Sequence, residues 1–230
     1  MQRKLKVCIV CGGPSSERGI SLNSARSLYD NLDKERFEVR ILYVNPHLDF
    51  FEISALQIYA NTPLDFDYKL SHLDSASGQK LSRSELGRIL KKQDIVFPAI
   101  HGTFGEDGGL QKLLEEYGAR YVGSGPDACY STANKQKCQE ILRQHGFKSV
   151  EHWVVRKGAR PPNLPPGSYV AKPLHGGSSI GVQYIYNVKK ELSEKLREVY
   201  VYESEALIEP LCNGREFTVI VLQNAFAMPV

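Results

Sequence analysis

No apolar run in this sequence approaches the roughly 20 residues needed to cross a bilayer, so a membrane-spanning helix is not expected. The opening MQRKLKVCIVCGG carries basic residues and a short apolar run. That run is shorter than the roughly 7–15 residues of a signal h-region and ends in a turn, so it reads as a buried first strand. Charge of one sign is scarce in excess: the formal net charge is +3. A nucleic-acid partner would want a concentrated basic face, and none is expected here. Cysteines number 5, scattered at Cys8, Cys11, Cys129, Cys138 and Cys212. Cys8 and Cys11 have CxxC spacing, but within a strand that spacing puts their side chains on opposite faces. No second CxxC completes a zinc site, so reduced structural thiols in a cytoplasmic protein are expected and no metal ligand is assigned. Also missing are GxGxxG, which removes the dinucleotide fingerprint, and a GKS or GKT after a glycine run, which removes the P-loop.

What is present is an ordinary globular composition, 42% hydrophobic and 24% charged, over 230 residues. That length suits one large domain or two modest ones. KVCIVCGG, FEVRILYVN and DIVFPAIHG read as continuous apolar strands. SLNSARSLYDNLD between the first two has helical spacing with Ser21 as its cap, and GLQKLLEEYG is a helix closed by Gly118. A polar stretch from about Pro46 to Gly78 reads as irregular, and ACYSTANKQKCQEILRQHG as one helix ended by Gly146. The alternation predicts a parallel, helix-covered α/β sheet over residues 1–128. Short strands follow in EHWVVRKG, SYVAKPL, GVQYIYN and EALIEPL, with KKELSEKLREVYVY as a helix among them. They predict a small α+β lobe over 129–213. REFTVIVLQN then begins a further strand at 214–230, and a strand so placed reads as the first of a truncated lobe.

Four segments carry chemistry. VAKPLHGGSSIGV lies between two strands, so its glycines sit on a hairpin rather than at a helix start. Gly176 and Gly177 open the backbone to an anion, Ser178 and Ser179 add hydroxyls, and Lys172 reaches in from the preceding strand. HGTFGEDGG follows a buried strand, where ligands of open α/β sheets collect, and offers His101; Glu106 and Asp107 serve equally as helix caps. GGPSSERGIS ends the first strand and places Glu17 where it could bind an ammonium group or simply be solvated. LIEPLCNGREFTV sets Glu209 and Glu216 around a turn, suited to an amine and a diol.

In this order the four segments resemble the D-alanine–D-alanine ligase family of the ATP-grasp superfamily. HGTFGEDGG resembles its HGxxGEDG signature, GGPSSERGIS its N-terminal motif, KPLHGGSSIGV its phosphate flap and LIEPLCNGREFTV its adenine–ribose hinge. The resemblance implies a Rossmann-like first domain and an ATP-grasp lobe. It implies that ATP phosphorylates one D-alanine and that the amine of a second displaces phosphate, giving the dipeptide for peptidoglycan. Glu17 would hold the first D-alanine's ammonium with Ser178 in the same network, and His101 would lie beside the transferred phosphoryl group. Lys135 and Lys172 would contact phosphates, with Gly176, Gly177, Ser178 and Ser179 as the flap. Glu209 would take the adenine amine, the Cys212 N–H the adenine ring, and Glu216 the ribose. Mg²⁺ is implied with ligands beyond Val230, so this chain alone is expected not to turn over. A homodimer through the first domain is also implied. Gly19 stands where the family often has an acidic residue, and Lys112 where it has a small one. The competing readings are another ATP-grasp carboxylate–amine ligase and a non-catalytic, ligand-binding relative.

Overall fold

The structure is a computed structural model and describes residues 3–59, 62–65, 68, 80–222 and 226–229. Its chain divides into two compact units. The first runs to Gly146 and also includes His175–Ser178; the second is Phe147–Leu174 with the segment from Ser179 onward.

In the first unit, strand β1 (Leu5–Gly12) leads into helix α1 (Arg18–Asn31), then β2 (Phe37–Val44) and β3 (Phe50–Ile53). Helix α2 (Arg83–Lys91), β4 (Ile95–Pro98), α3 (Gly109–Glu116), α4 (Pro126–Ala133) and α5 (Lys135–Gln144) follow. The sheet order is β3-β2-β1-β4, with β1 parallel to both β2 and β4. β1 is apolar on both faces because both are covered. Cys8 and Val10 pack with Leu86, Leu90, Leu110 and Leu114 of α2 and α3. Ile9 and Cys11 pack with Leu22 and Ala25 of α1 on the other face. The two thiols therefore point apart, as their spacing predicted. Desolvation raises the Cys8 thiol far above its ordinary value and pushes Cys11 up to about 12.

Three local readings are corrected. Ser21 does not cap α1, which begins at Arg18. Ser21 is wholly buried; its hydroxyl donates to the Ala99 carbonyl at 2.6 Å and accepts the Gly12 N–H at 2.8 Å. The stretch after Pro46 is not irregular throughout: Phe50–Ile53 pairs antiparallel with β2, and a 3-10 turn spans Ala55–Tyr59. Much of the remainder of that stretch lies outside the described residues. The helix expected over ACYSTANKQKCQEILRQHG is two, broken at Asn134, whose ψ of 108° is not helical. Its side chain accepts the Lys137 N–H at 2.9 Å, so a polar residue that competes with the helix ladder ends one helix and caps the next. Helix α2 escaped sequence reading altogether, although Ser82 and Glu85 form a full capping box.

In the second unit, β5 (Trp153–Arg156), β6 (Tyr169–Pro173), β7 (Gln183–Ile185) and β8 (Glu205–Pro210) form an antiparallel sheet in the order β5-β8-β6-β7. Helix α6 (Val188–Val199) covers one face through Leu192, Leu196 and Val199. Strands β9 (Val219–Leu222) and β10 (Phe226–Pro229) form a separate antiparallel pair. Among the described residues, no helix is long and apolar enough to cross a membrane.

Candidate active site

Strands β1 and β4 leave the sheet side by side, and the chain departs from them in opposite directions along it. In an open α/β sheet this is the place where a ligand crevice forms. The loops that follow the two strands are tied together. Ser15 Oγ donates to the His101 carbonyl at 2.7 Å and accepts the Glu17 N–H at 3.0 Å. Ser21 fastens Ala99 to Gly12 beneath them.

These ties set Glu17 at the start of α1 with only 6% of its surface exposed. Gly102 makes room for it. A Cβ built on Gly102 would lie 2.7 Å from Glu17 Oε2 and 3.0 Å from Ser15 Oγ, and the residue's φ is +69°. The backbone therefore favours glycine, and the space beside it is taken by the Glu17 carboxylate. His101 Nε2 lies 2.8 Å from Ser24 Oγ, and Nδ1 is 3.6 Å from Glu106. A carboxylate on the Nδ1 side favours the proton there, so that Nε2 accepts from Ser24. Glu106 also accepts the Gly102 N–H at 3.0 Å, while Asp107 takes the N–H groups of Phe104 and Gly109 and so closes the loop onto α3.

The tip residues His175–Ser178 belong to the same unit as Glu17 and His101. Ser178 Oγ donates to Glu17 Oε1 across 161 residues of sequence. Lys135, the first residue of α5, donates to the His175 carbonyl at 3.0 Å and the Gly176 carbonyl at 2.9 Å. Gly176 has φ +78°, and Ser178 and Ser179 are left-handed at +52° and +56° although neither is glycine. Such a run costs energy and is held by its surroundings, which is the pattern of a functional loop. Open space surrounds Gly176 and Gly177, so no packing demands a glycine at either.

Lys172 and Glu209 meet in the second unit. In the β6–β8 register Lys172 faces Leu207 and Val170 faces Glu209, so the two charged residues are diagonal neighbours on one face. They form an ion pair whose side chains are only 25% and 12% exposed. Beyond β8, Leu211 N–H is taken by the Ser168 carbonyl at 2.8 Å. The next residue, Cys212, is exposed and its N–H has no partner among the described residues. Glu216 is exposed in the irregular stretch before β9.

The first unit thus brings together Glu17, Ser178, His101 and Lys135, and the second joins Lys172 to Glu209. Sequence reasoning missed Ser15, Ser24, Asn134 and His175. Asn134 had a signal, a cap-type residue just before a lysine-rich helical run; Ser24 and His175 are tied by tertiary contacts, and Ser15 by a local bond to Glu17 as well as a distant one to His101. At Gly19 the absent side chain borders a cavity of about 270 Å³, lined also by Ser16, Asn23, Arg26, Thr62 and Pro63.

Known proteins resemble this arrangement throughout the chain. Residues 6–124 match the family profile described as D-ala D-ala ligase N-terminus, and residues 138–229 that described as D-ala D-ala ligase C-terminus. The D-alanine–D-alanine ligase of Lacticaseibacillus casei (strain BL23) is 29% identical over 232 residues, 96% of this chain and 65% of that protein. That of Mycolicibacterium smegmatis is 32% identical over 239 residues, 96% of this chain and 63% of that protein. This chain therefore spans slightly less than two thirds of their length. The D-alanine-D-alanine ligase of Coxiella burnetii superposes with a TM-score of 0.81 at 25% identity, covering 97% of this chain and 68% of that one. A Bacillus anthracis ligase complexed with ATP superposes with a TM-score of 0.66 at 25% identity, covering 94% and 61%.

Proposed function

The chain belongs to the D-alanine–D-alanine ligase family, and from that membership we propose that it serves the ATP-dependent joining of two D-alanines for peptidoglycan. The observation that carries the reading is the hydrogen bond from Ser178, on a glycine-rich tip, to the buried carboxylate of Glu17. It joins the flap motif to the substrate motif within one unit. Glu17 holds the ammonium of the first D-alanine; one carboxylate oxygen is steadied by Ser178, and the other lies beside the space that Gly102 leaves. His101, oriented by Ser24 and Glu106, lies by the substrate carboxylate.

In the first step a carboxylate oxygen of that D-alanine attacks the γ-phosphorus of ATP. The P–O bond to the β-phosphate breaks and its electron pair leaves with ADP. In the second step the neutral amine of another D-alanine attacks the acyl carbon, the C–O bond to phosphate breaks, and phosphate departs; the amine's surplus proton passes to solvent. Little covalent work falls to the protein in such a transfer, and positioning with charge neutralisation does most of it. Lys135 and Lys172 supply positive charge to the phosphates, Ser179 and the Gly176–Gly177 backbone line the flap, and Glu209, Cys212 and Glu216 receive the nucleoside. The free Cys212 N–H supports that part of the reading. Among the described residues no three His, Cys, Asp or Glu side chains converge to hold an ion, and no step is routed through magnesium here.

The test is calorimetric titration of the chain with D-alanine and with a non-hydrolysable ATP analogue. Glu17→Gln should abolish the D-alanine heat and leave that of the nucleotide. Lys172→Met should weaken the nucleotide by about tenfold or more, the loss of one charge-assisted contact. Saturable binding of neither ligand would overturn the proposal. The reading also takes the protein to act in the cytoplasm, where ATP is available, and as a homodimer; equilibrium sedimentation tests the latter.

A further inference from the structure

Asn134 makes two hydrogen bonds whose polarities can be fixed. Its Oδ1 accepts the backbone N–H of Lys137 at 2.9 Å, and a backbone N–H can only donate. The amide is therefore oriented, and it is Nδ2 that faces His175 Nε2 at 3.1 Å. An amide nitrogen can only donate, so His175 Nε2 must accept. That requires a neutral ring with its proton on Nδ1. The same histidine's carbonyl, with that of Gly176, receives the Lys135 ammonium. Residues 134 and 135 thus grip residues 175 and 176 from one helix start, one through an uncharged acceptor and the other through a cation.

We propose that Asn134 and His175 are positioning residues for the glycine-rich tip, with Asn134 capping α5 at one end of its amide and holding His175 in the Nδ1–H tautomer at the other. The grip turns two tip carbonyls onto Lys135 and fixes the backbone that leads to Ser178. Glu17, also at the tip, accepts from Ser178. A further consequence rests on the ligase reading: the ammonium that holds the two tip carbonyls also faces nucleotide phosphate, so phosphate binding and tip position are coupled through one group.

Two readouts on the isotope-labelled chain test this. Long-range proton–nitrogen spectra of the imidazoles should show His175 with a bare Nε2 at neutral pH. Backbone order parameters at Gly176–Ser179 from nitrogen relaxation should be those of a held loop, and His175→Ala should lower them, the loss of one ordinary hydrogen bond. His175→Gln, whose carbonyl can accept from Asn134, should restore them. Asn134→Asp keeps the cap but offers only acceptors, so it should move the ring proton to Nε2. A protonated Nε2 in the parent chain at neutral pH, or a bare Nε2 retained in Asn134→Asp, would overturn the proposal. If these results hold while an ATP analogue fails to bind, the ligase reading falls and the grip stands. If the analogue binds while His175→Ala matches the parent, the grip alone falls.

Discussion

Two glycines three residues apart, Gly102 and Gly105, should respond to alanine in opposite ways, and the contrast separates site from scaffold. At Gly102 the new methyl would lie 2.7 Å from Glu17 Oε2 and 3.0 Å from Ser15 Oγ, with the backbone at φ +69°. The left-handed conformation costs an alanine roughly 1–2 kcal/mol. The clash itself is relieved cheaply, because a carboxylate at the end of a flexible side chain can swing aside. At Gly105 the methyl would lie 2.2 Å from the Ile100 carbonyl oxygen and 2.6 Å from its carbon, and backbone in a packed strand exit cannot retreat. Overpacking of that kind costs about 3 kcal/mol or more. For a chain of this size about 1 kcal/mol moves the melting temperature by roughly 2–4 °C. Gly102→Ala should therefore melt roughly 2–8 °C below the parent, and Gly105→Ala roughly 6–12 °C or more below it. Binding should follow the opposite order. With Glu17 displaced from Ser178, Gly102→Ala should lose roughly tenfold to hundredfold in D-alanine affinity by calorimetry, the loss of a hydrogen bond to a charged group. Gly105→Ala, where it remains folded, should bind closer to the parent. Parent-like D-alanine affinity in Gly102→Ala would refute the placement of Glu17 at the substrate, and an unchanged melting temperature in Gly105→Ala would refute the packing argument.

Other expectations follow from single features. Ser21→Ala should cost about 2–4 kcal/mol in urea unfolding, because it strands a buried carbonyl and a buried N–H. Hydrogen bonds from the Arg3 guanidinium first, and then from the Lys6 N–H, hold the Asp94 carboxyl below its ordinary value. A depressed folded-state pKa contributes stability above the unfolded value near 3.9 and loses it as pH falls through the folded one. The stability gap between the parent and Asp94→Asn should therefore be present at neutral pH and close in acid below that value; a gap that persists there would count against it. Native-state thiol titration should label exposed Cys212 first, with Cys8 and Cys11 reacting only on unfolding, since burial keeps both protonated.

Local pattern was legible wherever the physics is local. Continuous apolar runs announced β1 and β2 because both faces of those strands are covered, and β4 beside them, and Gly118 and Gly146 ended their helices in left-handed turns. The flap, too, could be read as a hairpin, because Tyr184 and Ile185 continue a strand pattern after the glycines and pair with β6. Where reading failed, a polar residue had two possible employers. Ser21 looked like a cap because serine often is one, yet its hydroxyl is spent on Ala99 and Gly12, a choice made only when two strands and a helix are in place. Asn134 could have continued a helix, and instead its amide ended one.

By itself the sequence determined the four glycine-bearing motif segments, their order, and hence the family, because glycine spacing and strand hydrophobicity are properties of consecutive residues. The tertiary structure alone decided that Ser178 meets Glu17, that Gly102 leaves room for that carboxylate, and that Lys135 rests on the carbonyls of the tip. Those are contacts between distant parts of the chain, and a hydrogen bond across 161 residues leaves no periodic trace in the residues on either side of it.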